Sequence, residues 1–378
     1  MSGAIEMRAL VLREPGVLGV ETVMLAAPAR GEVRVRIAAA GVCRSDMHLA
    51  EGGLGAGRWP VVLGHEGAGV IDAIGEGVRG LSIGDHVALT MVAPCGLCDP
   101  CRRGERTLCE PAGRRSLAGM MADGMSRLTA GDGVVLQHGF GVACFAQYAV
   151  LDAAAVVEIP RQLPLWQAAL LGCGALTAFG AISHAARVGI GDRVCVVGCG
   201  GVGLQAVAAA RLAGAAQIIA VDVSERKLEA ARRLGATDGV LAGDPDPAGR
   251  VRALTGGGVD HALEVVGSPA TMRLAWDAIR PGGTAVVVGL ARVGVEVSLP
   301  AIEFLSEKRI IGSYYASADP PSALRGLAEL AGAGRLPLAD VVSHRIELDG
   351  IPEAFERMRR GEGSRSVVMI DPQLADQP

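Results

Sequence analysis

Four cysteines fall within one short stretch, CGLCDPCRRGERTLC, at Cys95, Cys98, Cys101 and Cys109. Thiolates this close together, separated by Gly and Pro, suit a closed tetrahedral metal site, whereas disulfides between neighbours two residues apart would be strained. Arg102, Arg103 and Arg106 make the stretch locally basic and raise a nucleic-acid knuckle as an alternative. Such knuckles combine charge with aromatic stacking surfaces. This stretch has no aromatic residue, and Asp99, Glu105 and Glu110 dilute its charge. Three further candidate ligands lie far apart: Cys43 in GVCRSDMH, His65 in GHEG and Cys173 in LLGCG. Two thiolates and an imidazole with a fourth position open describe a catalytic zinc. Sequence spacing alone does not bring these three together.

The motif GCGGVG sets Gly198, Gly200 and Gly203 in the G-x-G-x-x-G pattern, with Gly201 and Val202 opening the helix that follows. It comes after the apolar strand VCVV, and Asp222 stands at the end of the next strand, IIAVD. That is the context in which the pattern binds a dinucleotide. Gly198 makes the tight turn, Gly200 lets the backbone approach a pyrophosphate, and Gly203 allows close helix–strand packing. The helix N-terminus attracts the phosphates. Asp222 can accept from ribose hydroxyls and would repel a 2′-phosphate, so the reading favours NAD over NADP. Cys195 and Cys199 read as packed small hydrophobes.

These groups need elements to hold them. The 378 residues suggest about two domains at ~150 residues each. The first part is short strands broken by Gly, Pro and Asp (RALVL, EVRVRIAAAG, GAGVIDAIGEGV, GDHVALT), a barrel-like or irregular β texture. Helical periodicity is predicted to begin near Gly174. From Gly191 strands and alanine-rich helices alternate, which predicts a doubly wound parallel sheet. A formal charge of -4 implies no nucleic-acid partner. The start of the chain lacks a basic segment followed by an apolar one. The apolar runs, such as LLGCGALTAFGAI, are broken by glycines and read as shorter than the ~18 residues of a membrane span. A cytoplasmic location away from membranes is expected. Thiols stay reduced there, and nine cysteines cannot all pair.

GVCRSDMH, GHEGAGVIDAIGEGV, the cysteine lobe, LLGCGALTAFG and GCGGVG with Asp222 together resemble the zinc-dependent alcohol dehydrogenases of the medium-chain dehydrogenase/reductase superfamily. The resemblance runs from RALVL to RSVVMI. It implies an α/β chain, with a Rossmann-type sheet over 175–314 inserted in a β-rich, GroES-like catalytic domain made of 1–174 and 315–378. It implies two zinc ions per chain, one catalytic on Cys43, His65 and Cys173 and one structural on Cys95, Cys98, Cys101 and Cys109. Glu66 would be the carboxylate beside the catalytic metal, and Asp46 the acid orienting the His65 ring. Ser45 and His48 would form a proton relay. Arg44 and Arg365 would contact the pyrophosphate, and Lys227 the adenosine ribose. Leu54, Met91, Gly139 and Phe140 would line the substrate pocket, with Gly139 leaving it wide. The implied reaction is reversible NAD-linked oxidation of a medium-to-large apolar or aryl alcohol, in a homodimer. Oxidation of a thiol–formaldehyde adduct is the first alternative, and reduction of a conjugated C=C bond the second.

Overall fold

The apolar, β-branched run EVRVRIAAAG becomes the strand Glu32–Gly41, in which every residue except Arg36 is buried. Burial on both faces makes it the spine of a sheet. The computed structural model describes residues 3–53 and 59–377. Among them, the chain forms two compact units, Met1–Cys173 with Asp319–Pro378, and Gly174–Ala318. Against the expected 174/175 and 314/315, the first division falls one residue earlier, after Cys173, and the second four residues later, after Ala318.

In the first unit, Glu32–Gly41 pairs antiparallel with Glu66–Ile74, Tyr148–Asp152 and Ser366–Met369. The full order runs Val156–Glu158, His86–Leu89, Glu66–Ile74, Glu32–Gly41, Ser366–Met369, His344–Ile346. A closed barrel of Ile5–Glu14, Val17–Leu25, Leu128–Ala130, Val135–His138 and Val61–Val62 accompanies it. Closure removes sheet edges that would otherwise seek partners. Two charges on the spine are buried with partners. Glu32 accepts from the Arg127 guanidinium at 2.7 and 2.9 Å, and Arg34 donates to Asp72 at 2.7 Å. The pairing matters because an unpaired buried charge costs far more than a paired one.

The second unit is a parallel six-stranded sheet among the described residues. Its order is Asp238–Leu241, Gln217–Asp222, Arg193–Val197, Val259–Glu264, Ile279–Val287, Arg309–Gly312. The doubly wound expectation is met. Asp238–Leu241 is an additional edge strand, too short and half-exposed to carry a strong apolar signal, and the stretch RIIGSYY supplies the other edge, Arg309–Gly312, as its sequence suggests. Trp276 anchors the core on one side of the sheet. It is fully buried, and its indole nitrogen donates to Glu303 at 2.9 Å, so its polar atom is satisfied.

One expectation is corrected. Helix begins at Leu165, not near Gly174, and runs continuously to Ala186. Two π-helical stretches, Leu171–Ala175 and Ala181–Ala186, interrupt its α-helical hydrogen bonding and mask the 3.6-residue period. Its 22 residues are long and apolar enough to cross a membrane, against the sequence reading of short, broken runs. They are apolar because most of the segment, 83% of its 18-residue apolar window, is buried inside the protein.

His138 closes the strand Val135–His138 and is 1% exposed. Its Nε2 accepts from the Arg127 backbone N–H at 3.1 Å. Burial, assisted by the Arg127 charge, lowers its pKa to about 4. The unfolded chain therefore takes up a proton below about pH 6.5 that the folded protein refuses until about pH 4. Stability from this site is complete above pH 6.5 and is lost as pH falls through that window, by about 3 kcal/mol. Denaturant midpoints measured from pH 7 to 4 should fall less steeply for His138→Gln than for wild type. Parallel curves would refute the assignment.

Candidate functional site

Strand register assembles the first constellation. Gly41 pairs with Glu66, and Val367 pairs with the same Gly41 from the other side. Residues just beyond these strand ends are therefore neighbours: Cys43, which caps the helix Arg44–Ala50, His65, and Arg365. Cys173 arrives on the π-helical stretch Leu171–Ala175. Gly172 allows that approach, since a Cβ there would lie 2.3 Å from the Leu89 carbonyl oxygen of the adjacent strand. One ligand atom each from Cys43, His65, Glu66 and Cys173 lies within 4.8 Å of the others, and all four residues are buried.

The ring of His65 is oriented from behind. Its Nδ1 is 2.9 Å from Asp46, whose other oxygen accepts from the Gly64 N–H at 3.0 Å. The Nδ1–Asp46 approach is an ion-pair contact without hydrogen-bond geometry, and Nε2 and Glu66 Oε1 are buried with no hydrogen-bond partner among the described residues. Hydrogen bonding to Cys173 holds the Cys43 thiol well below its ordinary value, and the same bond with burial raises Cys173. A low-pKa thiol, a second thiol and an orphaned imidazole nitrogen fit a borderline-soft divalent cation such as zinc. The Asp46–His65 contact is the outer support such a ligand needs. Burial raises the Glu66 carboxyl to about 7, against the opposing pull of Arg365. The Arg365 guanidinium pairs with Glu66 and donates to the Val42 carbonyl at 3.3 Å.

The cysteine lobe is a second donor set, with its four sulfurs within 4.8 Å of one another. The Cys98 and Cys109 sulfurs are 3.9 Å apart. That is far beyond a disulfide bond and close to the ~3.8 Å edge of a tetrahedron with ~2.3 Å zinc–sulfur bonds. Backbone N–H groups of Leu97 and Cys98 each point at the Cys95 sulfur at 3.4 Å and lower its pKa to about 6. Burial raises Cys101 to about 12. The lobe thus already stabilises a thiolate through its own backbone. These four residues fit zinc as well.

In the second unit the glycine motif does what its spacing predicts. Gly198 turns with φ +100°. A Cβ on Gly203 would lie 1.8 Å from the Gly198 carbonyl oxygen, so that position admits glycine alone. A Cβ on Gly200 would meet nothing within 4 Å, leaving the turn open on that side. Gly201 and Val202 begin the helix Gly201–Ala213. Asp222 accepts from the N–H groups of Cys199 at 2.8 Å and Ser224 at 3.0 Å, which ties it to the turn.

The remaining expected residues divide. Ser45 lies on the helix Arg44–Ala50 with its hydroxyl 3.8 Å from the Cys43 sulfur, and His48 follows one turn later, half-buried. Arg44 is exposed on that helix, and Lys227 is half-buried on the helix Glu225–Leu234 of the second unit. Phe140 stands beside the metal set, its ring 4.7 Å from that of His65. Met91 is partly buried against the core of the first unit. Leu54 lies outside the described residues. The reading of Gly139 is corrected: its open side faces backbone, since a Cβ would come 2.6 Å from the Val62 carbonyl oxygen. The glycine permits close packing of the chain on Val61–Val62 and does not widen a pocket.

Two contributors went unread. Gly41 makes room for Glu66, because a Cβ there would lie 2.4 Å from its Oε2. Glu264, fully buried at the end of Val259–Glu264, gathers the N–H groups of Val266 and Gly267 and the Thr271 hydroxyl at 2.7–2.8 Å. An acidic residue closing an otherwise apolar strand was its available signal.

The two donor sets separate in a metal analysis. Cys43→Ser should lose one zinc with little loss of stability. Cys98→Ser should lose the other and lower the melting temperature, because a closed site contributes binding energy to folding. Equal zinc content in Cys98→Ser and wild type would contradict the lobe's assignment.

Family models match both units: "Zinc-binding dehydrogenase" over residues 201–332 and "Alcohol dehydrogenase GroES-like domain" over 29–161. An S-(hydroxymethyl)glutathione dehydrogenase of Photobacterium damsela subsp. piscicida is 38% identical over 96% of this chain and 99% of its own length. One from Escherichia coli O1:K1 / APEC is 36% identical over the same shares. Among solved structures, an alcohol dehydrogenase zinc-binding domain protein from Burkholderia ambifaria superposes with TM-score 0.92 at 34% identity, covering 97% of this chain and 99% of its own. Benzyl alcohol dehydrogenase from Acinetobacter calcoaceticus does so with TM-score 0.91 at 31% identity and the same coverage. Cys43, His65 and the cysteine lobe sit within the GroES-like match and Gly201, Gly203 and Asp222 within the other, and the chain belongs to the zinc-dependent alcohol dehydrogenases of the medium-chain dehydrogenase/reductase superfamily.

Proposed function

We propose that this enzyme reversibly oxidises medium-to-large apolar or aryl alcohols with NAD at the Cys43, His65 and Cys173 set. The observation that carries the substrate class is Phe140. Its aromatic ring lies against the imidazole of His65, tilted by 54°, and offers an apolar surface at the candidate metal position. The relative from Acinetobacter calcoaceticus is named for an aryl alcohol of this kind.

Zinc supplies Lewis acidity at the first set when bound, and NAD is the hydride acceptor. Cys43, His65 and Cys173 would hold the metal, with Asp46 orienting the imidazole from its Nδ1 side. Glu66, anchored by Arg365, keeps a carboxylate beside the metal set. The Ser45 hydroxyl would accept the alcohol proton while giving its own onward to the His48 imidazole, which releases a proton to solvent. The two are three residues apart and share one helix face, and an imidazole titrates in the range such a transfer needs. Cys95, Cys98, Cys101 and Cys109 hold a second, structural zinc. Gly198, Gly200, Gly201, Val202 and Gly203 receive the pyrophosphate, assisted by Arg44. Lys227 and Asp222 serve the adenosine ribose, where Asp222 sets NAD above NADP. Arg365 is bound to Glu66 and the Val42 carbonyl, and in this reading it holds that carboxylate.

A second reading is supported by the curated relatives named for S-(hydroxymethyl)glutathione: oxidation of a thiol–formaldehyde adduct. The site would be the same and only the substrate's tail would differ. We also propose a homodimer formed through the Arg309–Gly312 edge of the parallel sheet. Ile302, Phe304, Leu305 and Ile311 are exposed beside it, and a second copy would bury them. Sedimentation of the intact protein at twice the chain mass, and at the chain mass for a Leu305→Asp, Ile311→Asp variant, is the expected result.

Steady-state kinetics tests the substrate reading. kcat/KM with NAD should rise by roughly fourfold per added methylene along linear primary alcohols until the site is filled, and should be high for benzyl alcohol. Activity confined to formaldehyde with added glutathione would replace this reading with the second. In the same assay Asp222→Gly should lower the NAD/NADP ratio of kcat/KM by roughly one to three orders of magnitude. A wild-type preference for NADP would overturn the role of Asp222.

A further inference from the structure

A groove of about 490 Å³ lies wholly within the first unit, bordered on one side by the cysteine lobe. Three arginines reach it from three separate segments. Arg79 comes from the turn after the strand Glu66–Ile74, Arg106 from the cysteine lobe, and Arg325 from the helix Pro320–Gly332. Against them the lining carries one carboxylate, Asp319. Arg106 is 3.4 Å from Asp319, while Arg79 and Arg325 make no ion pair or hydrogen bond among the described residues. The wall between the arginines is apolar and small, with Ala153, Ala154 and Pro94.

The charges do not cancel. Three guanidinium groups face one acid across a concave surface, and concavity concentrates the field of like charges above that of a flat surface. Asp319 adds a second anomaly. One of its oxygens accepts from the Ser322 hydroxyl at 2.6 Å, but the other, Oδ1, is buried without any hydrogen-bond partner among the described residues. A buried carboxylate oxygen lacking a donor is costly. Two unpaired guanidinium forks beside one partly exposed carboxylate in the same groove call for a ligand bearing negative charge and at least one hydroxyl or amine.

We infer that this groove is a second ligand site, for a small polyanion that also carries a hydrogen-bond donor. Guanidinium forks match phosphate and carboxylate oxygens alike. A phosphorylated hydroxy compound and a hydroxy-polycarboxylate are therefore the two sources of this chemistry. The ligand's oxygens bridge Arg79 and Arg325 with Arg106 behind them, and its hydroxyl donates to the accessible edge of the Asp319 carboxylate. Arg106 follows Cys101 and precedes Cys109, so occupation would brace the cysteine lobe against the helix Pro320–Gly332. The site is distinct from the substrate and coenzyme positions proposed above, and it does not depend on the identity of the alcohol.

Calorimetric titration of the zinc-loaded holoenzyme tests this, with saturating NADH present so that the glycine turn cannot take the probe. Glycerol 2-phosphate and citrate are the two probes, and inorganic phosphate is the control without a carbon-bound hydroxyl. We expect one saturable site per chain for at least one probe, weakened roughly tenfold for each of Arg79→Gln and Arg325→Gln. Tighter binding of glycerol 2-phosphate identifies the phosphorylated class, and tighter binding of citrate the carboxylate class. Both variants replace exposed side chains outside the catalytic machinery, so turnover without probe should equal wild type and report intact folding. Absence of saturable binding by both probes below about 10 mM, or equal binding by wild type and the double variant, would overturn the proposal.

Discussion

The buried contact between Glu66 and Arg365 is what the rest of the first unit is built around. Both side chains lie inside the protein, and they come from residues 299 positions apart. A charge taken out of water on its own would cost several kcal/mol, so neither side chain tolerates loss of the other. Their meeting requires three strands in register: Glu66–Ile74, Glu32–Gly41 and Ser366–Met369. It also requires Gly41, because any side chain there would occupy the space of the carboxylate. The same register delivers Cys43 and His65 to their places. Closing the C-terminal segment onto the sheet is thus inseparable from assembling the buried donor set, and a slip of one residue would turn every side chain to the opposite face.

The two donor sets illustrate different solutions to holding a metal. The cysteine lobe is local. Its ligands are carried by a short loop whose own N–H groups point at sulfur, so the site needs little from the remainder of the fold. The Cys43, His65 and Cys173 set is non-local and depends on the sheet and on a π-helical turn packed against Leu89 through Gly172. A π-turn shifts the residues after it around the helix axis, which is a means of aiming one side chain without moving the helix. The non-local set is correspondingly the better preorganised, with Asp46 behind His65 and Arg365 behind Glu66. Preorganised dipoles and charges are what a reacting centre uses to stabilise developing charge.

In the second unit the constraint is steric. Gly203 is held against the Gly198 carbonyl, and the loop after Val259–Glu264 is held by a single carboxylate that accepts three hydrogen bonds. Together they form a rigid floor at the carboxyl ends of adjacent parallel strands, which is where open α/β sheets bind ligands. The family to which the chain belongs uses this architecture for oxidoreduction. The chemistry assigned to individual residues follows from where these elements leave unpaired atoms.

Features whose chemistry is contained in neighbouring residues were legible in the sequence. The cysteine lobe, the G-x-G-x-x-G turn with Asp222, and the alternation of strand and helix all depend on short-range spacing, which the chain carries regardless of how it packs. What only the tertiary structure decided was every relation across long separations and every question of available space. The helix from Leu165 was hidden because π-turns break the period by which helices are read. Gly139 looked like an absent side chain in a pocket, but it faces a backbone carbonyl, because glycine marks close approach without saying what approaches. Arg365 looked like a cofactor contact and was found on Glu66, since a charge's partner is set by the strand register that buries it. Arg79 and Arg325 carried no motif, and Arg106 was read only as part of the basic cysteine stretch. Their convergence on one groove exists only after three distant segments have folded together, and no local pattern of residues encodes it.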